Sequence, residues 1–151
     1  MEDRIDALDK KVRFHVYDTV MKSGKIPTAG ESADVLSQSE DEIKESFKRL
    51  ADAHILVLQR GSGEILMANP FSAVPTPYLV RAGERSFYGN CIWDAMGIPA
   101  MLGQNASIEA SCGCCSTAMN LEIKNGEIEN PRGIAHFAIS AKRWWDDIVY
   151  N

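Results

Sequence analysis

Ile55-Leu56-Val57-Leu58, then Arg60-Gly61-Ser62-Gly63, then Glu64-Ile65-Leu66-Met67 read as one β-hairpin: two short apolar runs joined by a glycine-rich turn. Three helical patterns precede it. Ile5, Leu8, Val12, Val16 and Val20 recur at spacings of three and four, which gives a first helix with one apolar stripe that stops at Ser23-Gly24. Ile26-Pro27-Thr28 turns the chain, and a short helix follows from Ala29 to Leu36. Ser39, with Glu42 three residues on, forms a capping box for a third helix whose buried face is Ile43, Phe47 and Leu50. Three helices and a hairpin in this order predict a winged helix-turn-helix module over residues 1–68.

Such a module binds DNA or serves as a packing unit. Phosphate contacts require positive charge. On the third helix Glu40, Asp41, Glu42 and Glu45 offset Lys44, Lys48 and Arg49, and the wing adds only Arg60. A packing or interaction role is therefore expected, and nucleic acid is not an expected partner.

Beyond the hairpin, residues 69–85 form a crossing segment punctuated by Pro70, Pro75 and Pro77. Phe71, Val74, Tyr78, Leu79 and Val80 make it too apolar for a free linker, so it is expected to pack. Residues 86–151 carry all four cysteines: Cys91, Cys112, Cys114 and Cys115. There Asn90 is read as the N-cap of a helix from Cys91 to Met96, with Gly97 and Pro99 breaking it. Strands are expected at Ser107–Ala110, Met119–Lys124, Glu127–Glu129 and Ile134–Ile139, with Asn125-Gly126 a hairpin turn. The fold class is α+β: a helical module followed by a small, mostly antiparallel sheet domain with short helices.

The whole chain has 151 residues, 45% hydrophobic and 25% charged, which is enough to bury a core. A net charge of -5 implies no broad phosphate-binding surface. The charged start, Met1-Glu2-Asp3-Arg4-Ile5-Asp6, does not read as a signal peptide. No apolar run approaches the ~18 residues of a membrane span. Four thiols without an export signal fit a cytoplasmic setting, where cysteines are usually catalytic or metal-binding.

Phe87-Tyr88-Gly89-Asn90-Cys91-Ile92-Trp93-Asp94 sets a thiol and a carboxylate three residues apart, on one helix face. A helix start favours a thiolate. A thiolate is a soft ligand and nucleophile, and a carboxyl beside it can move a proton. The bland alternative is a small buried cysteine beside a first-turn helix charge. Cys112, Cys114 and Cys115 are further candidate soft-metal ligands. A zinc site joined by Cys91 is a weaker reading, because Cys112-Gly113-Cys114-Cys115 is not a repeated pair of spaced cysteines. His15, His54 and His136 are scattered and read as structural, and Trp144-Trp145 as core or interface.

This order of features resembles the organomercurial (alkylmercury) lyases along the whole chain. The sharpest match is Tyr88-Gly89-Asn90-Cys91-Ile92-Trp93-Asp94-Ala95, continued by Ile98-Pro99-Ala100-Met101-Leu102-Gly103. Cys112, the strand pair around Asn125-Gly126, and Trp144-Trp145-Asp146-Asp147-Ile148 follow in order. The resemblance implies that Cys91 binds the mercury of an organomercurial as thiolate, and that Asp94 manages the proton that ends on the departing carbon. The products would be a hydrocarbon and Hg(II) on sulfur, with no organic cofactor. An external small thiol or a mercuric-ion acceptor protein would take the metal. The family's second catalytic cysteine is expected just beyond Asp146-Asp147-Ile148-Val149-Tyr150, where the sequence ends at Asn151. The chain is then either truncated or naturally short, with Cys114 or Cys115 as a substitute sulfur. A missing strand would leave an edge that favours a homodimer. The alternative function is a non-catalytic protein that binds or senses Hg, Cu or Zn through the cysteine cluster; a metal-sensing winged-helix regulator comes third.

Overall fold

The computed structural model describes residues 5–149; Tyr150 and Asn151 lie outside them, as do Met1 to Arg4. Helix α1 (Ala7–Ser23) begins with Asp6, whose side chain accepts from the Asp9 amide while Asp9 caps back. It ends at Gly24 in the left-handed region, φ 78°. A Cβ on Gly24 would lie 2.6 Å from the Ser86 carbonyl oxygen, so the helix end and the sheet approach too closely for any other residue. Helices α2 (Ala29–Leu36) and α3 (Glu40–Asp52) each open on a capping box, from Thr28 with Glu31 and from Ser39 with Glu42.

Strands β1 (Val57–Leu58), β2 (Ile65–Ala68) and β3 (Phe71–Ser72) form a three-stranded antiparallel sheet in that order. The β1–β2 turn uses Gly61 and Gly63, both at positive φ. So the hairpin is present, shorter than its apolar runs, and the crossing segment supplies a third strand after the cis Asn69–Pro70 bond. The larger sheet holds β4 (Leu79–Ala82), β5 (Arg85–Tyr88), β6 (Ala106–Ile108), β7 (Leu121–Lys124) and β8 (Glu127–Glu129), antiparallel throughout, in the order β5-β4-β6-β7-β8. Asn125 and Gly126 both have positive φ, as a tight two-residue hairpin requires.

Two apolar clusters meet along α1. Val12 and Val16 join Ala29, Ala33, Ile43, Phe47, Leu50, Leu56, Ile65 and Ala68 in the helical core. Val20, one turn further, belongs with Phe71, Val80, Phe87, Ala95, Ile98 and Ile108 under the large sheet. Tyr17 and Ile26 touch both clusters. A buried carboxylate ties α1 to α3: Asp9 is fully buried and accepts from Ser46 Oγ at 2.6 Å and from Arg49 Nη2 at 2.8 Å.

Helix α4 runs from Ile92 to Leu102 and carries Pro99 inside it, so the expected break at Gly97 and Pro99 does not occur. Ala95, Ile98 and Pro99 are buried, facing β3, β4 and β6. Burial of that face outweighs the one backbone hydrogen bond that Pro99 cannot donate. The expected strand at Ile134–Ile139 is also absent: Ile134 is 93% exposed, and Pro131 precedes it. With no sheet partner, its alternating pattern has nothing to bury. The segment instead leads to a 3₁₀ helix (Ala141–Asp146), where Trp144 Nε1 donates to Ile139 O at 2.9 Å and Phe137 packs on Trp144. Trp145 stacks on His54 with centroids 4.3 Å apart, which joins this segment to the end of α3.

Candidate active site

The β5–α4 connection positions Cys91 and Asp94. Gly89 bridges to Phe71, donates to Tyr78 O at 3.0 Å, and its carbonyl accepts from Thr76 Oγ1 at 2.6 Å. A Cβ at Gly89 would sit 2.7 Å from the Ala95 amide nitrogen and 2.9 Å from its Cα. The turn is therefore closed directly against the first turn of α4, and only glycine lets the strand come that close.

Asn90 is not the N-cap; Cys91 is, with extended backbone (φ -144°, ψ -177°) and no capping bond from its side chain. The Asn90 amide also donates to Asn69 Oδ1 at 3.1 Å, which ties the site to the crossing segment. Its Oδ1 is buried and has no hydrogen-bond partner among the described residues. Cys91 Sγ donates to Asp94 Oδ2 at 3.8 Å, and both side chains are half-buried. The two side chains do meet, but as the N-cap residue and the third residue of α4 rather than as two residues on one helix face.

Burial at this position opposes the thiolate that a helix start favours. Burial, more than any other influence, pushes the Cys91 thiol above its ordinary range; the Asp94 charge pushes the same way, and backbone hydrogen bonds oppose it only in part. Burial likewise raises the Asp94 carboxyl, against hydrogen bonds from Asn90 and Cys91. Loss of water outweighs the helix start at this position. What results is a thiol beside a carboxyl whose affinity for a proton is enhanced.

Two residues at this site carry no signal in the sequence. Tyr17, from α1, donates to Asn69 O at 3.0 Å. Its hydroxyl is held above the ordinary range by burial, with Arg13 opposing and Asp94 reinforcing. Asn69 sits between Tyr17 and Asn90. A tyrosine beside an apolar helix stripe and an Asn-Pro turn both have ordinary structural uses, so neither stands out. A cleft of about 480 Å³ is lined by Tyr17 and Asn69 with Lys10, Arg13, Phe14 and Met101.

The other three thiols lie apart from this pair, in a turn between Ser111 and Ala118, which form an isolated bridge. Cys112 is half-buried, while Cys114 and Cys115 are exposed. Among the described residues no group of three or more His, Cys, Asp or Glu side chains is placed to hold a metal ion, so the four thiols do not assemble into a zinc site. His15 approaches Thr19 and His54 stacks on Trp145, structural contacts in both cases.

Among the described residues no helix is long and apolar enough to cross a membrane. No curated protein matches the chain. A solved structure, described as the crystal structure of the mercury-bound form of MerB2, is similar in fold, with a TM-score of 0.65 and 15% identity. The match covers 83% of this chain and 60% of that one, so this chain spans well under the length of that protein. The family described as "MerB: Alkylmercury lyase" matches residues 71–150, a span that begins at β3 and includes all four cysteines. With more than half of its length matched, this chain belongs to the alkylmercury lyase family.

Proposed function

We propose that the protein cleaves carbon–mercury bonds by protonolysis at Cys91 and Asp94. The observation that carries this reading is the half-buried thiol–carboxyl pair, Sγ to Oδ2 at 3.8 Å, in a chain of this family. As an organomercurial R–Hg–X enters, the Cys91 proton passes to Asp94, sulfur bonds to mercury and X⁻ leaves. Mercury is soft, so sulfur displaces harder ligands. An external small thiol then adds a second sulfur and gives up its proton to solvent. Electron donation from two sulfurs weakens the Hg–C bond, its electron pair moves to carbon, and carbon takes the proton from Asp94. The hydrocarbon R–H leaves, Asp94 is a carboxylate again, and Hg(II) remains on two sulfurs.

The raised proton affinity of Asp94 suits this sequence, while that of Cys91 ties loss of its proton to the forming Hg–S bond. A carboxyl desolvated by its surroundings takes that proton as sulfur bonds to mercury and holds it until carbon becomes basic. Tyr17 and Asn69 support the site through Asn90. The reaction as written uses no organic cofactor.

The same reading takes residues 1–68 as a winged-helix packing module and residues 86–151 as the thiol-bearing domain, joined through 69–85. The packing role is supported by ion pairs on α3: Lys44 with Glu40 at 2.6 Å, Lys48 with Glu45 at 2.5 Å, and Arg49 with Asp9 at 2.8 Å. Each cation of α3 is engaged by a carboxylate, which leaves little for phosphate.

The test is headspace detection of benzene from the reduced protein with phenylmercury and excess small thiol. Repeated turnover by the wild type, lost in Cys91→Ser, is expected. No benzene above the thiol-only control would reject the reaction for this chain.

A further inference from the structure

We propose that Cys112 and Cys115 form a second, independent site: a two-coordinate dithiol for a soft cation, Hg(II) being the one that the reaction proposed above would release. The turn is closed by its own backbone. Cys112 N donates to Thr117 O, and Ser116 N donates to Cys112 O, both at 2.8 Å. This curls residues 112–116 back on themselves and brings the first and fourth positions of Cys112-Gly113-Cys114-Cys115 to one side. Cys115 Sγ lies 3.2 Å from Thr117 Oγ1. Hydrogen bonds from Thr117, first, and from Cys112 hold the Cys115 thiol below its ordinary range. Cys112 and Cys115 both line an open cleft of about 620 Å³, together with Thr117, Met119 and Arg132. Cys114 is exposed and is not among its lining residues.

Chemistry selects the ligand. Harder cations need three or more ligands from side chains such as His, Asp or Glu, and no such set is formed here among the described residues. Hg(II) and Cu(I) are both satisfied by two thiolates in line, and sulfur is the donor both prefer; of the two, Hg(II) is the ion that the reaction proposed above would release in this protein. Binding forms two Hg–S bonds and releases two thiol protons, with no change of oxidation state.

The sheet places this site at the same end as Cys91. Tyr88, which leads into Cys91, pairs with Leu79, and Glu109, which leads into Cys112, donates to Leu79 O at 2.8 Å. Only β4 separates the two strands, so β5 and β6 are on the order of 10 Å apart.

The test uses Cys91→Ser, so that cleavage plays no part. The reduced protein receives one equivalent of HgCl₂ in the presence of a competing monothiol. Bound mercury is read by intact mass, and unprotected thiols by iodoacetamide labelling. One retained mercury is expected, with Cys112 and Cys115 protected and Cys114 alkylated. Adding Cys112→Ser or Cys115→Ser should weaken retention about 100-fold, because the second sulfur on the same turn acts at high effective concentration. Retention equal in Cys91→Ser and either double variant would overturn the site. So would protection of Cys114 in place of Cys112 or Cys115, or recovery of a Cys112–Cys115 disulfide in place of bound mercury under reducing conditions. Because Cys91 is absent, this result is independent of whether the chain releases hydrocarbon.

Discussion

Two glycines eight residues apart should respond to the same substitution with opposite sign. At Gly89 a new Cβ would meet Ala95 N at 2.7 Å, Ala95 Cα at 2.9 Å and Ala95 Cβ at 3.0 Å. Two of these contacts are backbone in the first turn of α4 and cannot rotate away, so the strand and helix must separate. Overpacking of this kind costs about 2 kcal/mol. For a chain of this size that lowers the melting temperature by about 4–8 °C. At Gly97, inside α4, a Cβ would find only Pro70 Cβ, at 3.8 Å, an ordinary contact. Gly97→Ala removes chain entropy from the unfolded state and should stabilise by about 0.5–1 kcal/mol. Thermal unfolding followed by circular dichroism reads both. A Gly89→Ala protein that melts at or above the wild type would refute the close approach of β5 to α4. That approach also fixes Cys91 against Asp94.

Further outcomes follow from the charged and thiol groups. Asp94→Asn should raise the melting temperature at neutral pH, because burial raises the Asp94 carboxyl and the ionised form is the one that destabilises the fold. That gain is present above the raised value and disappears as pH falls below the ordinary 3.8, so melts across pH check it. Asp9→Asn should cost about 1.5–3 kcal/mol, since Arg49 and Ser46 lose a charged acceptor. Burial would raise the Asp9 carboxyl, but these hydrogen bonds outweigh it and hold it below 3.8. The stabilisation is thus full above that value and lost as pH falls through the lower folded one; urea unfolding at neutral and acid pH reads this. Iodoacetamide at neutral pH should label Cys115 ahead of Cys91, because one thiol is exposed and lowered and the other half-buried and raised. Peptide mass mapping over time gives the order.

The sequence was most legible where local signals act alone. Capping boxes at Thr28 and Ser39, the glycine turn after Arg60 and the Asn125-Gly126 hairpin each need only neighbouring residues, and the last three stand out in the sequence alone. The apolar stripe of α1 was visible, but not that Val20 serves a different core from Val12 and Val16; that division depends on what packs against the helix. Pro99 and Gly97 argued for a break that tertiary burial of Ala95 and Ile98 overrides. Ile134–Ile139 had the alternation of a strand without a neighbour to pair with. At the site, the Cys91–Asp94 contact is legible because a helix start brings its N-cap residue beside the third helical residue. The ionisation of the pair is not, because it depends on burial supplied by other segments. Tyr17 and Asn69 reach the site from 52 residues apart in the chain, a proximity no local pattern encodes.

The central claim is that Asp94 supplies the proton that breaks the carbon–mercury bond, separately from the capture of mercury by Cys91. Single-turnover reaction of Asp94→Asn with phenylmercury tests it most directly, with bound mercury read by intact mass and benzene read in the headspace. The account predicts that phenylmercury is retained on Cys91 while benzene release falls at least about 100-fold, the lower end of what a positioned proton donor contributes. Benzene released at the wild-type rate from Asp94→Asn would contradict it.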